Sequence, residues 1–255
     1  MLDRMVLKSA RALAVLGMVV LAVATAPALG QMATAESTGP ATAPSTQPST
    51  VAADLTTPRG TMKVFFKSVS NGDESGIRKV VSSDTPLEQK MVDALVGRTM
   101  AETSFRNAAV KAFGLDQAKA FVGDSEAATS RMMSQIDLSE EKVTGDSAVV
   151  NLSGGTAEDA MTLKRSGSEW RIPASEFAKG SDAGTVQQRI EDMNFATSLM
   201  NEYANDVSSG KYKTVDEAGK DIQQRLNTSM MKHMAERQAA PATGPATGPT
   251  TKPQG

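Results

Sequence analysis

Residues 136–173 read IDLSEEKVTGDSAVVNLSGGTAEDAMTLKRSGSEWRIP, and the fold class turns on this stretch. Ile136 and Leu138 alternate with polar residues, and Val143 precedes the pair Gly145-Asp146. Ala148, Val150 and Leu152 alternate again, Met161 and Leu163 make a third run, and Ser166-Gly167 reads as a turn. Trp170 and Ile172 form a fourth run, which Pro173 closes. Alternation sends every second side chain to one face of a strand. Short period-2 runs joined by Gly-containing turns therefore predict an antiparallel meander with one buried face.

Upstream the period changes to that of a helix. Thr57-Pro58 supplies a hydroxyl at the N-cap and proline at the first helical position. Met62, Phe65, Phe66 and Val69 then recur on one stripe, and Gly72 stops it. Asp73 can cap a short second helix that buries Ile77, Val80 and Val81. Thr85-Pro86 repeats the start signal. Leu87, Met91, Leu95, Phe105, Ala109 and Phe113 support one long helix or two, with Gly97 as the break and Gly114 as the end. Residues 116–133 are alanine-rich and read as helical.

Downstream, the helical period returns at Thr185 and continues in two helices separated by Ser208-Ser209-Gly210. Ile190, Met193 and Met200 form one stripe, and Ile222, Leu226 and Met230 the other. The two stripes can cover each other. The remaining flank, with Phe195 and Tyr203, needs a third surface: the long helix 86–113, the outside of the sheet, or a second subunit. The short connection 174–183 favours docking within the chain.

The ends have a different composition. Arg4, Lys8 and Arg11 precede the apolar run Ala12 to Ala24, the order of a secretory signal, with small residues Ala28 and Gly30 placing cleavage before Gln31. The alternative is an uncleaved anchor, although alanine, proline and glycine give this stretch a weak drive to stay in lipid. Residues 31–56 and 238–255 are nearly all Ala, Thr, Ser, Pro, Gly and Gln, too polar to offset chain ordering by burial. The organisation expected is thus a signal peptide at 1–30, a disordered linker at 31–56 and an α+β domain at 57–179. A helical hairpin at 184–237 and a disordered tail at 238–255 complete it.

Over residues 58–178 the order of elements resembles the NTF2-like (cone-shaped α+β) superfamily. The resemblance is carried by Phe65-Phe66 in the opening helix, the Ser70-Asn71-Gly72-Asp73 break, the run Val143 to Val150 and the strand Glu169 to Ile172. It implies helices packed on a small curved antiparallel sheet, here followed by the C-terminal helical hairpin, with a pocket inside the cone. Phe65, Phe66 and Trp170 would line that pocket, although such aromatics also serve simply as core. Enzymes of the superfamily place an Asp, or a His–Asp pair, in the pocket. Asp73, Asp84, Asp137 and Asp159 are the acids that such a role leaves open here.

Composition narrows the chemistry. The chain has 255 residues, 27 Lys+Arg against 29 Asp+Glu, no cysteine, one histidine and fifteen methionines. Without a basic block it lacks the clustered cations that nucleic acid requires. Zero cysteines exclude disulfides, thiol nucleophiles and Cys-ligated metals. No cofactor is implied. Met230, His233 and Met234 share one helical face and suit Cu(I) or Ag(I) as donors. The plainer reading is that both methionines finish the apolar stripe with His233 at its edge, and no metal ligand is assigned. The sequence therefore points to an exported, non-enzymatic envelope protein, periplasmic or extracellular. It would bind a small apolar ligand or a protein partner, without stable membrane insertion after signal cleavage; a homodimer also fits. The alternative is a cofactor-independent acid/base enzyme, isomerase- or dehydratase-like, using a buried Asp.

Overall fold

A computed structural model describes residues 54–155 and 160–239. The signal segment, residues 31–53 of the linker, Asp159 and the tail from 240 lie outside the described residues. Seven helices and five strands are present among those described. Thr57 accepts a hydrogen bond from the Gly60 amide and starts α1 (Pro58–Asn71), which ends at left-handed Gly72 (φ 66°). Asp73 caps α2 (Glu74–Val80) through the Gly76 amide. Thr85 and Glu88 form a reciprocal capping box at the start of α3 (Pro86–Phe113). This is one helix of 28 residues that runs unbroken through Gly97. The alanine-rich stretch divides into α4 (Leu115–Val122) and α5 (Ser125–Asp137), the latter capped by Asp124. After the sheet come α6 (Ala183–Ser208) and α7 (Val215–Ala239).

The strands are β1 (Val81–Ser82), β2 (Glu140–Thr144), β3 (Ser147–Asn151), β4 (Met161–Ser166) and β5 (Glu169–Pro173). They form one open sheet in the order β1-β5-β4-β3-β2. The α+β class and the four-strand meander are as expected, but three details differ. Val81 leaves α2 and pairs in parallel with Ile172, so the sheet is mixed at that edge. Ile136 lies in the last turn of α5 and Leu138 is its C-cap, so neither belongs to a strand. Met132, Met133 and Ile136 stand at helical spacing there, Ile136 is buried, and Leu138 is 73% exposed. Finally, the fold begins before the expected boundary at 57. Leu55 is buried, and its carbonyl accepts a 2.7 Å hydrogen bond from the Trp170 amide.

Ala148, Val150, Leu163, Trp170 and Ile172 cover one sheet face and pack against Met62 and Phe65 of α1, Ile77 and Val80 of α2, and Val92 and Leu95 of α3. The second half of α3 enters another core. There Phe105, Ala108 and Ala109 meet Phe121 of α4, Leu199, Tyr203 and Val207 of α6, and Ala218 and Ile222 of α7. The long helix thus links a sheet lobe to a helical lobe. Met91 and Ala94 pack with Val186 and Ile190, Gly97 faces Thr197, and Phe105 meets Tyr203, so α6 lies alongside α3 in the same direction. Docking is therefore within the chain. The face of α6 that carries Ile190 meets α3, not α7, and Met230 is 43% exposed instead of lining the hairpin's interior.

Candidate functional site

The aromatic residues marked for a pocket do converge. Phe65 and Trp170 share the sheet-lobe core, and the Phe65 ring lies 5.3 Å from that of Phe66, edge to face. Phe177, from the short 3-10 helix Ala174–Ala178, sits 5.5 Å from Phe65 on another side. Trp170 is 1% exposed, with the Arg165 guanidinium 4.6 Å above its ring. Two shallow hollows open on the described surface. One of about 410 Å³ runs beside Gly219, Gln223 and Asn227 of α7. The other, about 310 Å³, lies among Arg78, Ser82, Ser83, Gln89 and Arg171. Neither is lined by Phe65, Phe66 or Trp170.

The candidate acids lie apart from one another and from these aromatics. Asp73 is exposed and caps α2. Asp84 is exposed, and its amide donates to Glu88. Asp137 is exposed and paired with Lys63. Asp159 lies outside the described residues. The buried polar side chains of the sheet lobe are uncharged: Thr61, Ser68, Thr99 and Ser139. Thr61 donates to the Trp170 carbonyl at 3.1 Å, which ties α1 to β5.

A denser set of charges joins α6 to α7 near the turn between them. Arg225 pairs with Glu202 and Asp206 and reaches Asp221 at 3.3 Å. Lys211 bridges Asp206 at 3.0 Å and Asp221 at 3.1 Å. The Tyr212 hydroxyl donates to Asp221 at 2.5 Å, and the Arg225 guanidinium lies 5.2 Å from the Tyr203 ring. Burial acts to raise the Asp206 carboxyl, but hydrogen bonds from Arg225 and Lys211 outweigh it and hold it below the ordinary range. Asp221 is lowered too, first by Tyr212 and then by Lys211. Burial, then the hydrogen bond to Asp221, pushes Tyr212 up. With two cations shared among three carboxylates, this cluster reads as a clasp that sets the angle of α7 on α6.

The other end of the pair is open. His233 stacks flat on Phe195, with ring centroids 4.2 Å apart and planes 6° from parallel. Its Nε2 lies 2.9 Å from Asp192 Oδ1, and Arg237 holds the same carboxylate at 2.9 and 3.1 Å. Met230, Met231 and Met234 lie within one turn of His233 along α7, at 43%, 70% and 50% exposure. Sequence spacing shows the shared face of Met230, His233 and Met234, but nothing in it identifies Asp192 or Phe195 as the partners of His233. No family model, curated protein or solved structure matches the chain.

Proposed function

We propose that the chain is an exported, non-enzymatic binding protein that meets a protein partner at the open end of α6 and α7. The export reading rests on Arg4, Lys8 and Arg11 ahead of the apolar run to Ala24. In this reading the sheet lobe, NTF2-like in its order of elements, is a scaffold with a filled interior. One observation carries the choice of surface. Three of the large apolar side chains exposed among the described residues are Met230, Met231 and Met234, crowded into five positions of one helix. Flexible, polarizable thioethers on a rigid support suit an adaptable partner surface. The clasp at Arg225 and the Asp192–His233 contact supply that rigidity.

A photo-crosslinking residue at Met231, in the full chain expressed in its own host, tests the reading. A discrete heteromeric adduct is expected, absent when the crosslinker is moved to Lys142 on the sheet and lost with Met230→Glu/Met234→Glu. Adducts that are equal at both positions, or that survive the Glu substitutions, would overturn it. Recovery of the exported form with Met1 intact would overturn the cleavage before Gln31.

A further inference from the structure

We infer that Met230, His233 and Met234 form a binding site for a soft monovalent metal ion, Cu(I) or its redox-inert analogue Ag(I). The inference does not rest on the partner reading above. Successive helix residues turn by about 100°. Taking Met230 as reference, His233 therefore lies about 60° to one side and Met234 about 40° to the other. Two thioethers and an imidazole thus project from one face of the helix within an arc of about 100°. Met231 falls outside this arc.

Exposure decides between a core stripe and a ligand set. Were the methionines core fillers, they would be covered and His233 would sit at the edge. The order is reversed: His233 has a side chain only 18% exposed and packs on Phe195, while Met230 and Met234 are exposed to solvent. The buried stripe of α7 closes with Ile222 and half-buried Leu226.

The imidazole is also held as a ligand needs to be. Asp192 accepts from Nε2–H, which places the lone pair of the neutral ring on Nδ1. Among the described residues no hydrogen bond occupies Nδ1. A carboxylate behind one ring nitrogen fixes tautomer and orientation, the usual outer support of a metal-bound histidine. Phe195 fixes the ring plane from its face. Arg237 already pairs with Asp192, so the donors left without a hydrogen bond are the imidazole Nδ1 and two thioether sulfurs. Hard cations prefer oxygen donors, whereas thioether and imidazole suit Cu(I) and Ag(I). The chain has no cysteine to compete for the ion.

Titration of the full chain with Ag(I), and with Cu(I) under anaerobic conditions against a chromophoric chelator, tests the site. One ion per chain is expected. Met230→Leu/Met234→Leu should weaken binding by at least about 100-fold while the melting temperature holds, because leucine keeps the volume and removes only the sulfur. Met231→Leu should bind as the parent does. Asp192→Asn, which loosens the ring, should cost about 10- to 100-fold. In spectra of methyl-labelled methionine, Ag(I) should shift Met230 and Met234 and leave buried Met62 and Met91 in place. No binding against the chelator, or equal binding by the double Leu variant, would overturn the inference. The Leu pair keeps the apolar surface, so a crosslink from Met231 that persists in that variant separates failure of the metal site from failure of the partner reading.

Discussion

The inside of the sheet lobe and the open end of α7 use the same residue type to opposite ends. Met62 and Met91 are buried against neighbouring elements, whereas Met230, Met231 and Met234 stand in solvent. In the sequence Met62, Met91, Met230 and Met234 belong to apolar stripes of helical period. Periodicity locates a stripe, but whether anything lies opposite depends on a helix elsewhere in the chain. For α7 the cover runs out near Leu226. Phe121 of α4 lies 3.8 Å from where a Cβ on Gly219 would stand, and Ile222 is sealed in the helical lobe. Further on, α6 offers α7 Asp192 and Phe195, which engage His233 and Arg237.

The largest effect expected from this contrast comes from removing α6 and α7 together by truncation after Lys179. Met91, Ala94, Phe105 and Ala109 of α3 would lose their cover, since their partners include Val186, Ile190, Leu199 and Tyr203. Exposed apolar surface of that extent should cause aggregation or a much lower melting temperature, read by size-exclusion chromatography and thermal unfolding. A truncated chain that melts unchanged as a monomer would show that the two lobes are independent.

Within the sheet lobe, Val150 is buried on the inner face while Asn151 points to the other side. Val150→Asp should cost about 3–5 kcal/mol, because it places a carboxylate in an apolar core without a partner. Asn151→Asp should stay within about 0.5 kcal/mol, as a partly exposed polar exchange. Denaturant unfolding of the two variants, side by side, checks the register of β3.

Most of this architecture could be read from the sequence because strong local signals agree with the tertiary outcome. Thr57-Pro58, Asp73 and Thr85-Pro86 start the helices they were expected to start. Gly145 and Gly167 take the left-handed backbone of hairpin turns, at φ 59° and 64°. The structure departs from the pattern where only two residues carry it. Ile136 and Leu138 fit a strand, but Met132 and Met133 behind them fit a helix, and burial of Ile136 decides for the helix. Val81 becomes a strand because β5 offers it a parallel edge, which no local signal announces. Phe65 and Trp170, marked for a pocket, share the sheet-lobe core. The partners of His233 lie 41 and 38 positions away, beyond the reach of spacing.

The clasp at the closed end of α6 and α7 should give a smaller effect. Tyr212→Phe removes the hydroxyl that donates to Asp221 and should cost about 1 kcal/mol. The cluster also predicts a pH response with a definite sign. Asp206 and Asp221 titrate below the ordinary 3.8 in the folded protein, so their stabilising contribution is present above that value and lost as pH falls through their folded pKa values. The difference in melting temperature between the parent and Arg225→Gln should therefore shrink below pH 3.8. A difference that stays constant down to pH 2 would place the stabilisation in packing of the Arg225 stem against Tyr203 instead.

Glycine gives the finest version of the contrast between a covered and an uncovered position. Gly60 and Gly97 both lie inside helices, α1 and α3. A Cβ at Gly60 would overlap the Asp54 carbonyl oxygen and stand 2.7 Å from Thr57 Oγ1, the atom that caps the helix. Backbone cannot yield as a side chain can, so Gly60→Ala should destabilise the sheet lobe at the very turn that brings Leu55 to Trp170. A Cβ at Gly97 meets only Thr197 Cγ2, at 3.9 Å, an ordinary van der Waals contact. Its backbone is helical, so alanine there loses less chain entropy on folding than glycine does. Gly97→Ala should therefore stabilise the protein by about 0.5–1 kcal/mol, measured as a rise in the denaturant midpoint at constant slope. A loss instead would mean that α3 and α6 approach each other too closely at this crossing to admit one methyl group, and that the glycine is kept for contact between the lobes.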